Sequence, residues 1–207
     1  MVIRKFNKSD GSRNEERKYS RDLSGLTAAL NDSEHEVRRW AARDLAVVHG
    51  AEPVLVAQLA VEKSAAVREA IIMSLATIGN KDAVQGLVQC IRSEDAALRN
   101  DAVDAMKNLP NEVALIIKKL LKDQDSDVRI LSINILESLC HPDVESWLID
   151  VITYDHHINV CATAVDLLGE VGSQASIIPL KILKERFNNE PYINFAADLA
   201  LKRILEE

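Results

Sequence analysis

Residues 123–136 read Asp-Gln-Asp-Ser-Asp-Val-Arg-Ile-Leu-Ser-Ile-Asn-Ile-Leu, and this stretch decides the fold. If Val128 is position 0, the small or apolar residues Ser132, Ile133 and Leu136 stand at positions 4, 5 and 8. That spacing has a helical period and lacks the alternation of a strand. Asp125 precedes the helix, where its carboxylate can accept hydrogen bonds from first-turn N–H groups. The stretch predicts one amphipathic, capped helix.

The same phrase occurs six times along the chain, at intervals of 30, 31, 30, 32 and 32 residues. Its copies begin at Val37-Arg38, Val67-Arg68, Leu98-Arg99, Val128-Arg129, Val160-Cys161 and Tyr192-Ile193. A second apolar segment of helical length precedes each copy, and glycine or proline turn signals separate the units. One helix pair cannot bury its apolar face alone, so neighbouring pairs must stack. The pattern predicts an all-α protein, a right-handed α-solenoid of about six antiparallel helix pairs.

The predicted solenoid occupies residues 22–207, and a basic segment precedes it. The repeats are expected at about 22–52, 53–81, 82–110, 111–142, 143–174 and 175–207. Residues 1–21 carry seven basic and three acidic side chains, whereas the rest of the chain has a net charge of −11. Because apolar periodicity is absent before Tyr19, we expect residues 1–21 to form a flexible basic segment.

Composition excludes several classes of protein. The net charge is −7 and no basic stripe is present, so nucleic acid is a poor candidate partner. No apolar run reaches the roughly 18 residues of a membrane span, and no secretory signal is recognisable. Three widely spaced cysteines do not suggest a disulfide framework. We expect reduced thiols and a cytoplasmic protein.

The Asp-x-x-Val-Arg-x-x-Ala-Ala pattern with a period near 30 resembles HEAT repeats of the short bacterial type, similar to the helical repeats of phycobilisome lyase subunits. The resemblance implies a buried ladder of arginines and acids between repeats, and a concave face lined by the second helix of each pair. The ladder would contain Arg38, Arg68, Arg99 and Arg129, with acid partners from Asp32, Glu62, Asp123 and Asp155. Anion binding is the alternative role, but four arginines at one repeat position suit stacking better than a single site.

Positions 2, 6 and 10 of the phrase point away from the predicted core and should line the concave face. The first repeat offers basic and aromatic side chains there, and later repeats offer mostly acids and amides. We predict a partner-binding surface made of Arg39, Trp40, Arg43, Met73, Asp104, Asn134, Asp166 and Asp198. Arginine and tryptophan are enriched at binding hot spots. A docking groove for a protein segment with a basic stretch is one interpretation, and an ordinary solvated surface is the other.

Candidate chemistry is sparse. His156, His157 and Cys161 could supply metal ligands, with Cys140 and His141 one repeat earlier, but their spacing is not a zinc signature. A packed cysteine beside a histidine pair at a helix start is the favoured interpretation. No glycine-rich phosphate loop is present. Nothing identifies a nucleophile, a base and an oxyanion hole together. We predict no catalytic residue, no metal and no cofactor.

The sequence therefore favours a non-enzymatic scaffold or adaptor that binds another protein on its concave face. The alternative is a lyase or chaperone subunit of the phycobilisome-lyase type, which would handle a chromophore or a cofactor protein. A tetrapyrrole would need an aromatic-lined cleft, and only eight aromatic residues are available. The partner's identity and the oligomeric state stay open.

Overall fold

The computed structural model describes residues 18–206, which contain thirteen α-helices, one 3₁₀ turn and no β-strand. The predicted all-α class is confirmed. The helices are α1 (Leu23–Leu30), α2 (His35–Leu45), α3 (Glu52–Leu59), α4 (Ala65–Ile78), α5 (Lys81–Cys90), α6 (Ala96–Lys107), α7 (Pro110–Ala114), α8 (Ile117–Leu120), α9 (Ser126–Leu136), α10 (Val144–Tyr154), α11 (Ile158–Val171), α12 (Ile177–Arg186) and α13 (Pro191–Glu206), and the 3₁₀ turn is Gln174–Ser176.

The helices form pairs that stack in two layers. The second helices α2, α4, α6, α9, α11 and α13 hold the repeated phrase, and each packs against the next in that order. In the first-helix layer, α3 packs on α5, α5 on α7, and α10 on α12. The first helix of the fourth repeat is divided into α7 and α8. Repeating the same contact from pair to pair gives the predicted helix-pair solenoid.

Local capping sets where several helices start. Asp125 accepts a hydrogen bond from the Asp127 backbone N–H at 2.9 Å, so the predicted cap is present. Asp95 caps α6 by accepting from the Ala97 N–H at 2.9 Å. Asn80 caps α5 by accepting from the Ala83 N–H, also at 2.9 Å. Each cap satisfies a backbone donor that the helix itself leaves unpaired.

The core is aliphatic and lies between the two layers. Val128, Ile133 and Leu136, at positions 0, 5 and 8 of the phrase, are fully or almost fully buried. Small residues bring α11 and α13 together, since a Cβ placed on Gly169 would lie 3.5 Å from the Cα of Ala200. Burial of these positions leaves the remaining faces of the second helices available for other contacts.

The predicted basic segment is only partly within the structure. Residues 1–17 lie outside the described residues. Lys18 and Tyr19 contact Asp32 in the first repeat, and the Arg21 guanidinium lies 3.3 Å from the Asp44 carboxylate. The end of the segment therefore packs on the solenoid. Within residues 18–206, no helix combines the length and hydrophobicity that crossing a membrane requires.

Candidate functional site

Arginines of the second helices bind acids of the following repeat, as two well-formed pairs show. Arg38 donates from Nε and Nη2 to the two Glu62 carboxylate oxygens, both at 2.8 Å, and from Nη1 to the Asp32 carbonyl at 2.9 Å. Glu62 has a side chain only 2% exposed. The hydrogen bonds from Arg38 lower the pKa of Glu62 to about 2, against the opposing effect of burial.

Arg129 repeats this geometry three repeats later. Its Nε and Nη2 donate to the Asp155 carboxylate at 2.6 and 3.1 Å, and its Nη1 donates to the Asp123 carbonyl at 2.8 Å. Asp155 also accepts from the His157 backbone N–H at 2.8 Å. One guanidinium thus joins the turn of its own repeat to the turn of the next.

The middle of the ladder departs from the expected pairing. Arg68 contacts Asp95 at 3.0 Å, because Ser93 stands where the first, second, fourth and fifth repeats have an acid. Asp123 is held by Arg92, which lowers the pKa of its carboxyl. Arg99 instead donates to two carbonyls, those of Ser93 at 2.7 Å and of Glu94 at 3.2 Å.

Two of the proposed acid partners therefore need correction. Asp123 is held by Arg92 and forms no ion pair with Arg99 among the described residues. Asp32 accepts from Lys18 at 2.5 Å and from the Tyr19 hydroxyl at 2.7 Å, so a segment before the first repeat takes the arginine's place. Both exceptions arise because the competing donors lie outside the repeated phrase.

Arg186 completes the ladder, and the sequence analysis did not single it out. The fifth repeat has Cys161 where earlier repeats have arginine. Arg186, at the end of α12, donates to the carbonyls of Thr153 at 2.6 Å, Ile152 at 2.8 Å and Asp155 at 2.8 Å, and to Cys161 Sγ at 3.4 Å. The one sequence signal for this replacement was the cysteine at position 161, where an arginine was expected. Burial raises the pKa of the Cys161 thiol to about 11.

The predicted partner-binding residues lie along the outward side of the second-helix layer, here called the second-helix face. Six of the eight side chains are exposed, and Arg39 and Asn134 are half-buried. The exposed six are Trp40, Arg43, Met73, Asp104, Asp166 and Asp198. At the N-terminal end, the Arg43 guanidinium lies 5.2 Å from the centre of the Trp40 ring, which is 57% exposed. This cation–π pair presents an aromatic and a cationic side chain together on the surface.

The C-terminal end of the second-helix face is more apolar than the sequence pattern indicated. Asp166 accepts from the Tyr192 hydroxyl at 3.1 Å, and Asp198 pairs with Lys184. Phe195, on the same helix as Tyr192 and Asp198, is 67% exposed. The acids at this end therefore stand beside an exposed aromatic ring, and part of their charge is already neutralised.

A separate groove of about 680 Å³ lies at the turn side of the fourth and fifth repeats. We call it the Trp147 groove, and it is lined by Lys118, Leu121, Lys122, Asp123, Arg129, Trp147, Asp150, Val151, Tyr154, Asp155, His156 and His157. Its volume is within the range typical of small-molecule sites. It lies beside the ladder, and none of the residues predicted to bind a partner lines it.

Trp147 is the central side chain of this groove. It is 4% exposed, it stacks on His141 with ring centres 4.8 Å apart, and the Lys118 ammonium lies 5.6 Å from its ring centre. Its indole Nε1–H and His157 Nδ1 are both buried without a hydrogen-bond partner among residues 18–206. A buried donor without an acceptor costs about 1–3 kcal/mol, so such atoms are uncommon in a purely structural setting.

The structure brings His156 and His157 to the Trp147 groove but keeps Cys161 apart. Cys161 Sγ contacts the Asp155 carbonyl at 3.3 Å and Arg186. In the described part of the chain, no three or more His, Cys, Asp or Glu side chains form a cluster that could hold a metal ion. The groove itself was missed because Lys118 comes from one repeat and Trp147 and Tyr154 from the next, and their approach depends on how the two repeats stack.

The repeat geometry and the family comparison agree on the class of protein. The family model for HEAT repeats matches residues 23–107 and 113–202, and the chain belongs to the HEAT-repeat family. This confirms the resemblance drawn from the repeated phrase.

One relative and two solved structures resemble this chain. Over 95 residues the chain is 38% identical to the bilin biosynthesis protein PecE of Mastigocladus laminosus, a match that covers 42% of this chain and 35% of that protein. Among solved structures, it is similar to the TOG3 domain of Drosophila melanogaster Mini spindles, with a TM-score of 0.55, 14% identity, and coverage of 89% and 95% of the two chains. It is also similar to an archaeal HEAT-like repeat protein from Thermococcus onnurineus NA1, with a TM-score of 0.51, 15% identity, and coverage of 89% and 87%. Both structural likenesses concern the fold alone.

Proposed function

We propose that the chain is a binding subunit of a bilin-handling assembly, which holds a partner polypeptide on its second-helix face and performs no chemistry of its own. The observation that carries the proposal is the 38% identity to the bilin biosynthesis protein over 95 residues. This match favours a lyase-type or chaperone subunit over a generic scaffold. The chain spans about a third of that protein's length. A phycobiliprotein subunit as the partner is therefore proposed here and is not shown by the match.

The second-helix face supports a protein partner. Four of its side chains are exposed and aromatic, apolar or cationic. They are Trp40 and Arg43 on α2, Met73 on α4 and Phe195 on α13. Exposed aromatic and apolar side chains with polar neighbours are typical of protein interfaces. Because a continuous core fixes the helices that carry these side chains, the backbone of the surface is pre-organised and needs no ordering on binding.

Two of the three thiols and the two best-paired ladder arginines are buried or engaged, which supports a role without catalysis at these groups. Burial raises the pKa of Cys90 and of Cys161 to about 11, so their thiols are poor nucleophiles at neutral pH. Arg38 and Arg129 are saturated by carboxylates and backbone carbonyls. These groups stabilise the solenoid and leave little for a reacting substrate.

The test uses the full chain and a bilin-free phycobiliprotein subunit, followed by sedimentation velocity. We expect a complex that the double variant Arg39→Ser/Arg43→Ser weakens at least about tenfold, since arginines at a hot spot contribute about 2 kcal/mol or more. The matched control is Lys63→Ser/Lys81→Ser, which removes the same charge from exposed positions outside the predicted rows. Thermal melting of both variants should stay near that of the wild type.

A contrary result is equally clear. Absence of a complex with the wild-type chain would exclude this partner class, and equal weakening by both double variants would exclude the second-helix face. If the isolated chain attached a bilin to the partner subunit, the proposal of a non-catalytic subunit would be wrong.

A further inference from the structure

The Trp147 groove carries features of a ligand site that the proposed partner-binding role does not use. It lies beside the ladder, away from the second-helix face, and it is large enough for a molecule of two or three rings. Two buried nitrogens, Trp147 Nε1 and His157 Nδ1, have no partner among the described residues. A native protein normally satisfies such atoms, and side chains of a binding site are a common exception.

The polar groups of the groove favour an anion. Arg129 and Asp155 neutralise each other, and Asp123 is held by Arg92. The other lining residues that carry a formal charge are Lys118, Lys122 and Asp150. None of these three forms an ion pair within residues 18–206. Two lysines against one aspartate leave one positive charge over, which matches a carboxylate better than a dianionic phosphate.

The apolar groups of the groove favour a flat ring. Leu121 and Val151 belong to its lining, and Tyr154 is 73% exposed at its edge. The Lys118 ammonium lies 5.6 Å from the centre of the Trp147 ring, and the indole N–H of that ring is buried. A ligand carboxylate that draws Lys118 aside would reach the indole N–H, while its ring would contact Tyr154 and the apolar residues.

We infer that the Trp147 groove is a binding site for a small aromatic carboxylate, whose anionic group is held by Lys118, Lys122 and the Trp147 indole N–H. This goes beyond the proposed function, because it concerns a small molecule and a surface that the partner does not occupy. The binding is reversible and involves no covalent step.

The test follows the NMR signal of the unpaired Trp147 indole N–H directly. The chain has two tryptophans, Trp40 and Trp147, so a ¹⁵N-labelled sample gives two indole N–H signals, and the Trp40→Phe variant assigns them. The probe is 2-naphthoate. We expect a saturable shift of the Trp147 signal while the Trp40 signal, from an exposed ring on the second-helix face, stays in place. Lys118→Gln/Lys122→Gln should weaken binding about tenfold, because charge-assisted hydrogen bonds are lost.

Matched controls separate the site from general stickiness. Lys63→Gln/Lys119→Gln removes two exposed charges outside the groove lining and should leave the affinity unchanged. Neutral 2-naphthamide tests the charge, cyclohexanecarboxylate tests the ring, and both should bind at least several-fold more weakly. An unmoved Trp147 signal at millimolar 2-naphthoate, equal shifts of both indoles, or equal binding of 2-naphthamide would each overturn the inference. Partner binding on the second-helix face is measured separately and does not depend on this result.

Discussion

Arg38 holds Glu62 of the following repeat through two parallel hydrogen bonds of 2.8 Å each. The same carboxylate accepts from the backbone N–H groups of Lys63 at 3.0 Å and Ser64 at 2.9 Å. The pair therefore joins the second helix of one repeat to the turn that starts the second helix of the next. Its contribution should depend on both partners, since an unpaired buried charge is costly.

A double-mutant cycle on Arg38 and Glu62 should show strong coupling. We expect Arg38→Met alone to lower the free energy of unfolding by about 3 kcal/mol, because Glu62 is left buried without its cation. The double variant Arg38→Met/Glu62→Leu should cost about 2 kcal/mol less than the sum of the single changes. Urea unfolding followed by circular dichroism measures all four proteins.

Lys107 and Glu137 supply the control for that cycle. They also join consecutive repeats, at 3.1 Å, but the Glu137 side chain is exposed. Coupling across an exposed pair should stay below about 1 kcal/mol. Equal coupling energies for the two cycles would contradict a special role for the buried ladder pair.

Acid should weaken the ladder within a defined pH window. Hydrogen bonds from Arg38 hold the pKa of Glu62 at about 2, below its ordinary value of 4.5. A lowered pKa means that the ionised form stabilises the fold above pH 4.5, and this contribution disappears as the pH falls from 4.5 towards 2. At pH 6 it amounts to roughly 2–3 kcal/mol.

The measurement compares wild type with Glu62→Gln. The difference in their unfolding free energies should be largest at pH 6 and shrink steadily between pH 4.5 and pH 2. Other acids with lowered pKa, such as Asp32 and Asp123, are present in both proteins and cancel in the difference. A pH-independent difference would show that the Glu62 charge does not stabilise the fold.

The three cysteines should differ sharply in reactivity. Cys140 is exposed, whereas Cys90 and Cys161 are buried, and burial raises the pKa of each buried thiol to about 11. At pH 8 we expect one thiol to react with a disulfide reagent at once and two to react at least about 100-fold more slowly, through opening of the fold. Cys140→Ser should abolish the fast phase, and a remaining fast phase would mean that a buried site opens readily.

The repeated phrase predicted the helix pairs because its information is local. Val128, Ile133 and Leu136 set the buried side of a helix by spacing alone, and Asp125 marks its start, so fold and capping followed directly. The exposure of Trp40 and Arg43 also follows from their positions in the same period. Periodicity predicts each helix well, since every copy packs against its neighbours through the same positions.

The remaining features depend on residues outside the phrase. Arg92 binds Asp123, and Arg186 replaces the missing arginine at Cys161. Both arginines lie at or just after the end of a first helix, a position that the period of the second helices does not encode. The Trp147 groove combines Lys118 from one first helix with Trp147 and Tyr154 from the next. Such a site becomes visible only when the stacking of pairs is known.

Arg99 and Arg129 offer a final comparison, since they occupy the same position in neighbouring repeats but have different partners. Each donates to two carbonyls of its own turn, and Arg129 additionally holds the Asp155 carboxylate. Arg129→Met leaves a half-buried acid without its cation, whereas Arg99→Met removes only hydrogen bonds to neutral carbonyls. We expect Arg129→Met to be the more destabilising by about 2 kcal/mol in urea unfolding. Equal losses would mean that the carbonyl contacts of the guanidinium, and not its ion pair, hold successive repeats together.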